Sequence, residues 1–245
     1  MAPIRLAVLE AGTLAPRAEA RYTNFTGVFT SLLTTALAPS PLDLHFTITG
    51  HHVVDNKDPL PAIDDVDAIL ITGSKYSVYD DEAWITTLVE YTKKAIEGGR
   101  VKVIGVCFGH QIVGKALGIE VGKSQAGWEL AVTQVDLTDE GKKVFGLEKM
   151  RIHQVHQDEV KYLPRNMVDL ASSPACHVQA MYLPGRYLTV QGHPEFTGDI
   201  MREVSGIRYS KGAYRDEVYA DMIQRVGLEH DGVAIAQAFI IFLKK

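Results

Sequence analysis

Short apolar runs separated by longer amphipathic stretches organise the first half of the chain. Ile4–Leu9 has the length and composition of a strand, and Asn24–Ala38 reads as a helix opened by an asparagine N-cap. Leu42–Ile48 and Ala68–Thr72 are the next strand candidates, the second ending at Gly73. Asp81–Glu97 reads as a helix with acidic residues in its first turn and Gly98-Gly99 as its stop. Val101–Val106 is a further strand, unbroken except for Lys102, with a helix over His110–Leu117 behind it. Strands alternating with helices of this length imply βαβ units and a parallel sheet. Their near-continuous apolar character implies strands covered on both faces.

From about Val121 to Val190 the pattern changes. Ala131–Leu137, Val168–Ser172 and Arg186–Val190 alternate in the manner of strands that include antiparallel neighbours. The remainder, Gly198 to Lys245, reads as helices broken at Gly212 and around Gly227, with the apolar run Val233–Leu243 as the buried face of the last. That run is far shorter than the ~20 residues that span a bilayer. Ile4–Leu9 falls below the roughly 7–15 residues of a signal-peptide core. The expectation is a cytoplasmic protein with no membrane partner.

Composition narrows the function classes. A net charge of -5 without a basic cluster argues against nucleic acid as partner. The two cysteines, Cys107 and Cys176, form no disulfide framework and suit a reducing compartment. His51-His52 are adjacent and would face opposite sides of a strand. His153 and His156 lie in a segment that reads as strand, without a third ligand to complete a motif. No metal site and no cofactor are expected.

Candidate chemistry starts at Val103-Ile104-Gly105-Val106-Cys107-Phe108-Gly109-His110-Gln111, where an apolar strand runs into Gly-x-Cys-x-Gly and then a helix. This is the thiol version of the strand–turn–helix elbow that lifts a nucleophile above a sheet. Its glycines leave room where side chains would clash. A helix N-terminus beneath the sulfur favours thiolate. A small buried cysteine is the bland alternative. Far downstream, Leu188-Thr189-Val190-Gln191-Gly192-His193-Pro194-Glu195-Phe196 is a strand ending in a polar turn. There Glu195 can fold back onto one nitrogen of His193 while the other faces a thiol, the order of groups in a nucleophile–base–orienter triad. Alone, His-Pro-Glu would pass for a surface turn. Jointly, both motifs follow strands and fall on the side where α/β sheets bind ligands.

Gly-Val-Cys-Phe-Gly-His-Gln with a later Gln-Gly-His-Pro-Glu-Phe closely resembles the class I (triad) glutamine amidotransferases, over about Ile4 to Phe196. The resemblance implies a flavodoxin-like three-layer α/β/α fold, with a mostly parallel central sheet plus some antiparallel strands. One domain over residues 1–245 is expected, with 197–245 as a helical extension. It assigns the nucleophile to Cys107, the base and acid to His193, and the orienting carboxylate to Glu195. Ile71-Thr72-Gly73-Ser74 resembles the family's glycine turn, so Gly73 and Phe108 would supply the amides of an oxyanion hole; Ser74 departs from the second glycine common there. Gln111 matches a position that contacts the γ-glutamyl group. Val155-His156-Gln157-Asp158-Glu159-Val160 resembles the segment receiving the amino-acid end, which makes His156, Gln157 and Asp158 substrate-binding candidates.

Only about fifty residues follow Phe196, too few for an ordinary synthetase domain of ~100 residues or more. No phosphate loop is visible. The chain would work with a separate synthetase subunit or act alone, and it most resembles stand-alone members, some of which are γ-glutamyl peptidases. The expected substrate is a small γ-glutamyl compound, either glutamine or a γ-glutamyl peptide. Lys75–Asp80 and Gln125–Glu129 are the candidates for a leaving-group pocket, with Trp128 a possible stacking surface. A DJ-1/PfpI-like protein and a non-catalytic binding descendant are the alternatives. The Gly-His-Pro-Glu run argues against the first and the intact Cys, His and Glu against the second.

Overall fold

A computed structural model describes residues 2–38, 44–164 and 167–244. Along it run β1 (Ile4–Glu10), α1 (Pro16–Tyr22), α2 (Phe25–Leu37), β2 (Phe46–His52), β3 (Ala68–Ile71), α3 (Ala83–Gly98), β4 (Lys102–Val106) and α4 (Phe108–Ala116). Then follow β5 (Val121–Lys123), β6 (Glu129–Leu137), α5 (Asp139–Phe145), β7 (Met150–His156), β8 (Asp158–Val160), β9 (Val168–Ser172), β10 (Ala180–Leu183) and β11 (Tyr187–Val190). The chain continues through α6 (Gly198–Ser210), α7 (Asp216–Arg225) and α8 (Gly232–Lys244).

Among the described residues, nine strands form one sheet in the order β2-β1-β3-β4-β11-β10-β9-β6-β7. The run from β2 to β11 is parallel, and β10, β9, β6 and β7 continue it antiparallel. Period-2 alternation splits the parallel strands between two cores. Leu6, Val8, Leu70, Ile104 and Val106 face α2 and α8, meeting Phe29, Leu33 and Phe239. Ala7, Leu9, Ile69, Ile71 and Val103 face α3 and α4, meeting Trp84, Leu88 and Ile112. Burying one such large side chain contributes about 1.5–3 kcal/mol. Both faces being covered explains why these strands carry no polar alternation. The result is the expected three-layer α/β/α arrangement.

Several boundaries differ from the sequence reading, each for a local reason. Asn24 caps α2 as expected, its side chain accepting the Gly27 N–H at 3.0 Å. The first turn of α3 holds no acidic residue, because Ser77–Asp80 form a turn and Glu82 is extended (φ -119°, ψ 125°) before the helix begins at Ala83. Its stop is Gly99, in the left-handed region at φ 73°. The second strand runs from Phe46 to His52 rather than from Leu42 to Ile48. Pairing with β1 carries it out to Glu10↔His52 through polar residues, while residues 42–43 of the expected strand lie outside the described ones. The helix α4 begins at Phe108, directly after the elbow cysteine, rather than at His110. The short helix α5, within the region read as strands, is capped by Thr138 and stopped by Gly146. Val233–Leu243 lies in α8, as expected. No helix of the described residues is long and apolar enough to cross a membrane.

This topology creates the site. The pairs Leu9↔Ile71, Ile71↔Gly105 and Val190↔Val106 align the carboxyl ends of β1, β3, β4 and β11. Gly73, Cys107 and His193, far apart in sequence, therefore emerge side by side.

Candidate active site

At the end of β4 the backbone turns within one residue. Cys107 adopts φ 54° and ψ -103°, a conformation that L-residues rarely take and that costs of order 1–3 kcal/mol. The surroundings impose it. The Cys107 N–H donates to the Val190 carbonyl at 2.9 Å, and its own carbonyl accepts the Gln111 N–H at 3.1 Å. A Cβ on Gly105 would lie 2.6 Å from the Gly109 carbonyl oxygen, and one on Gly109 would run into that of Ile71. Both flanking glycines are thus needed for close backbone approach, which is what holds the sulfur above the sheet at the start of α4.

His193 lies beyond β11, where two contacts fix its main chain and ring. Its N–H donates to the His153 carbonyl of β7 at 2.7 Å, so the antiparallel end of the fold returns to brace it. Its imidazole stacks on Phe196 with centroids 4.1 Å apart. Nδ1 and Glu195 Oε1 are 2.8 Å apart, and both side chains are buried. Nε2 makes no hydrogen bond of ordinary geometry among the described residues. Burial opposes charge on this ring, but the Glu195 carboxylate and then the neighbouring Cys107 outweigh it and push its pKa up to about 10. An added Cβ at Gly73 would lie 2.6 Å from His193 Cε1. Only glycine lets the turn after β3 approach the ring.

The neighbouring Ser74 has a use that a glycine could not fill. Its hydroxyl donates to the Ala11 carbonyl at 2.6 Å and accepts the Tyr76 N–H at 3.2 Å, tying the loops after β1 and β3 together.

The substrate-binding candidates line one cavity of about 240 Å³ with Cys107 and Phe108. Their polar atoms are largely engaged with one another. Gln111 Nε2 donates to the Asp158 carbonyl at 3.0 Å and to Gln191 Oε1 at 3.1 Å. The Asp158 carboxylate accepts from Ser77 at 2.5 Å and from Tyr79 at 2.8 Å. His156 pairs with Glu129 Oε2 through Nε2 at 2.9 Å and with the Asp158 carbonyl through Nδ1 at 2.9 Å. Gln157 borders the cavity too. Of the expected leaving-group segments, Lys75, Tyr76, Ser77 and Trp128 border this same cavity, whereas Glu129 is buried in the hydrogen-bond network behind it.

Sequence reasoning missed Arg208, and it named Glu129 as part of a pocket segment without its partners. Arg208, on α6, stands over the Trp128 ring at 5.3 Å and completes the cavity wall. Glu129 is held by His156 and by Gln179 Nε2, 2.8 Å away. Neither carries a local signal, since each works through a partner distant in the chain. The Cys176 thiol is buried, donates to the Val178 carbonyl at 3.5 Å, and is pushed up in pKa by burial. Both features disfavour the thiolate there. Among the described residues no group of three or more His, Cys, Asp or Glu is arranged to hold a metal ion.

Comparison with known proteins agrees with this architecture. The family described as Glutamine amidotransferase class-I matches residues 42–203. A glutamine amidotransferase-like protein of Schizosaccharomyces pombe is 30% identical over 242 residues, 97% of this chain and 98% of that one. Gamma-glutamyl peptidase 3 of Arabidopsis thaliana is 30% identical over 169 residues, 66% of each chain. The crystal structure of a glutamine amidotransferase from Thermotoga maritima covers 100% of both chains with a TM-score of 0.74 at 13% identity, a likeness of fold. The matched residues carry the ends of β3, β4 and β11 that surround Cys107, and the yeast relative extends the likeness along nearly the whole sequence: the chain belongs to the class-I glutamine amidotransferase family.

Proposed function

We propose that this protein hydrolyses γ-glutamyl amide bonds through a γ-glutamyl thioester on Cys107. The observation that carries the reading is the elbow: a strained cysteine at a helix start, beside a histidine that a buried carboxylate holds at 2.8 Å. The Cys107 thiolate attacks the γ-carbonyl carbon, and the oxyanion takes hydrogen bonds from the Gly73 and Phe108 amides. One such donor is commonly worth about 10²–10³ in rate. His193 gives its proton to the leaving nitrogen, the C–N bond breaks, and the thioester remains. His193 then takes a proton from water as its oxygen attacks the thioester carbon; the C–S bond breaks, glutamate leaves, and the Cys107 thiolate and protonated His193 are restored. The cavity bordered by Gln111, His156, Gln157 and Asp158 receives the glutamyl group.

The test is glutamate release from glutamine, glutathione and γ-glutamyl dipeptides, with Cys107→Ala as control. Cysteine-dependent release supports the reading, and release that survives Cys107→Ala rejects it. Preference for peptides marks a free-standing peptidase, as the names of the Arabidopsis relatives suggest. Preference for glutamine points to ammonia supply for a separate synthetase subunit.

A further inference from the structure

A second cavity, of about 360 Å³, adjoins the first across a seam formed by Ser74, Lys75, Val155 and Arg208. The two divide the reacting groups between them: Cys107 and Phe108 border the smaller, while His193 and Gly73 border the larger. Resting on the reading above, we infer that the larger cavity is the leaving-group subsite, and that it takes an amino acid or short peptide with an apolar side chain and a free carboxylate.

The assignment follows from where the proton must go. His193 protonates the leaving nitrogen as its bond to the γ-carbonyl breaks, so whatever that nitrogen carries projects past His193 rather than toward the elbow. Ammonia needs no more room than a water molecule, about 30 Å³, and the space beyond His193 far exceeds that. Leu14 from the loop after β1, Phe196 from the histidine turn and Ile207 from α6 make its walls apolar. Lys75, Arg208 and Lys211 add three cations to its rim; Lys75 lies over the Tyr76 ring and Arg208 over that of Trp128, and no carboxylate among the described residues pairs with any of the three. Apolar walls beneath a positive rim without paired carboxylates fit the side chain and carboxylate of an amino acid better than a second cation or a sugar. Of the segment Lys75–Asp80, Lys75 borders this cavity. Gln125–Glu129 do not border this cavity, whose other wall comes from α6.

Three substrates test it: γ-glutamyl-leucine, γ-glutamyl-leucinamide and γ-glutamyl-lysine, with glutamine beside them. The wild type is expected to favour γ-glutamyl-leucine over the other two in kcat/KM. In Lys211→Glu the preference for the free acid over its amide should fall about three- to tenfold, as for a partly screened charge contact, and Lys211→Arg should restore it. Turnover of glutamine with no turnover of the peptides overturns this inference and leaves the proposed activity standing. Equal use of acid and amide by the wild type, or an unchanged preference in Lys211→Glu, also overturns it. No cysteine-dependent release from any of the four overturns both.

Discussion

At the scale of residues, the imidazole of His193 is constrained on every side that matters. Glu195 holds Nδ1, Phe196 covers one face, and Gly73 leaves just enough space at Cε1. Gly73→Ala therefore should move the ring, and displacement of this kind costs about 10²-fold. We expect kcat for glutamate release to fall by that order with the melting temperature little changed; full activity would mean that the ring is not the proton carrier. Glu195→Gln should keep the fold but lower kcat by about 10²–10⁴, because the tautomer and the charge support are lost. Since Glu195 is what raises the His193 pKa most strongly, the alkaline limit of the pH–rate profile should also move to lower pH in that variant. An unmoved limit would assign it to another group.

At the scale of elements, the elbow stores strain that the sheet around it must hold. The unfavourable dihedrals of Cys107 persist because β4 is clamped between β3 and β11 and because Gly105 and Gly109 let α4 start against the sheet. Gly109→Ala would force a methyl group against the carbonyl and Cβ of Ile71, neither of them the far end of a flexible side chain. Overpacking of this sort costs about 1–3 kcal/mol or more, so chemical denaturation should show a lowered midpoint with an unchanged slope. An Ala variant as stable as wild type would show that the elbow relaxes freely.

At the scale of the whole molecule, buried histidines set opposite limits on stability. Burial lowers the pKa of His110 and of His153 to about 3 each. Unfolded histidine takes up its proton near pH 6.5, so the unfolded state binds more protons between about 6.5 and 3. Each of these residues then removes about 1.4 kcal/mol of stability per pH unit of acidification. His193 acts in the other direction: its raised pKa contributes stability that is complete below 6.5 and is lost as pH rises toward about 10. Denaturation midpoints should peak near neutrality, and His193→Gln should flatten the alkaline side alone. What the sequence by itself determined was the chemistry with a local cause: the Gly-x-Cys-x-Gly elbow, His193 two residues from its carboxylate, and the strand–helix alternation of the first half. Those depend on sterics and periodicity within a few residues, so they are written in contiguous sequence. Only the tertiary structure decided the rest. Sheet order put Gly73, Cys107 and His193 together, β7 returned to brace His193, Glu129 met His156, and α6 brought Arg208 and Lys211 over the site. Each of those contacts joins residues distant in the chain, through strand pairing and helix packing that no local pattern encodes.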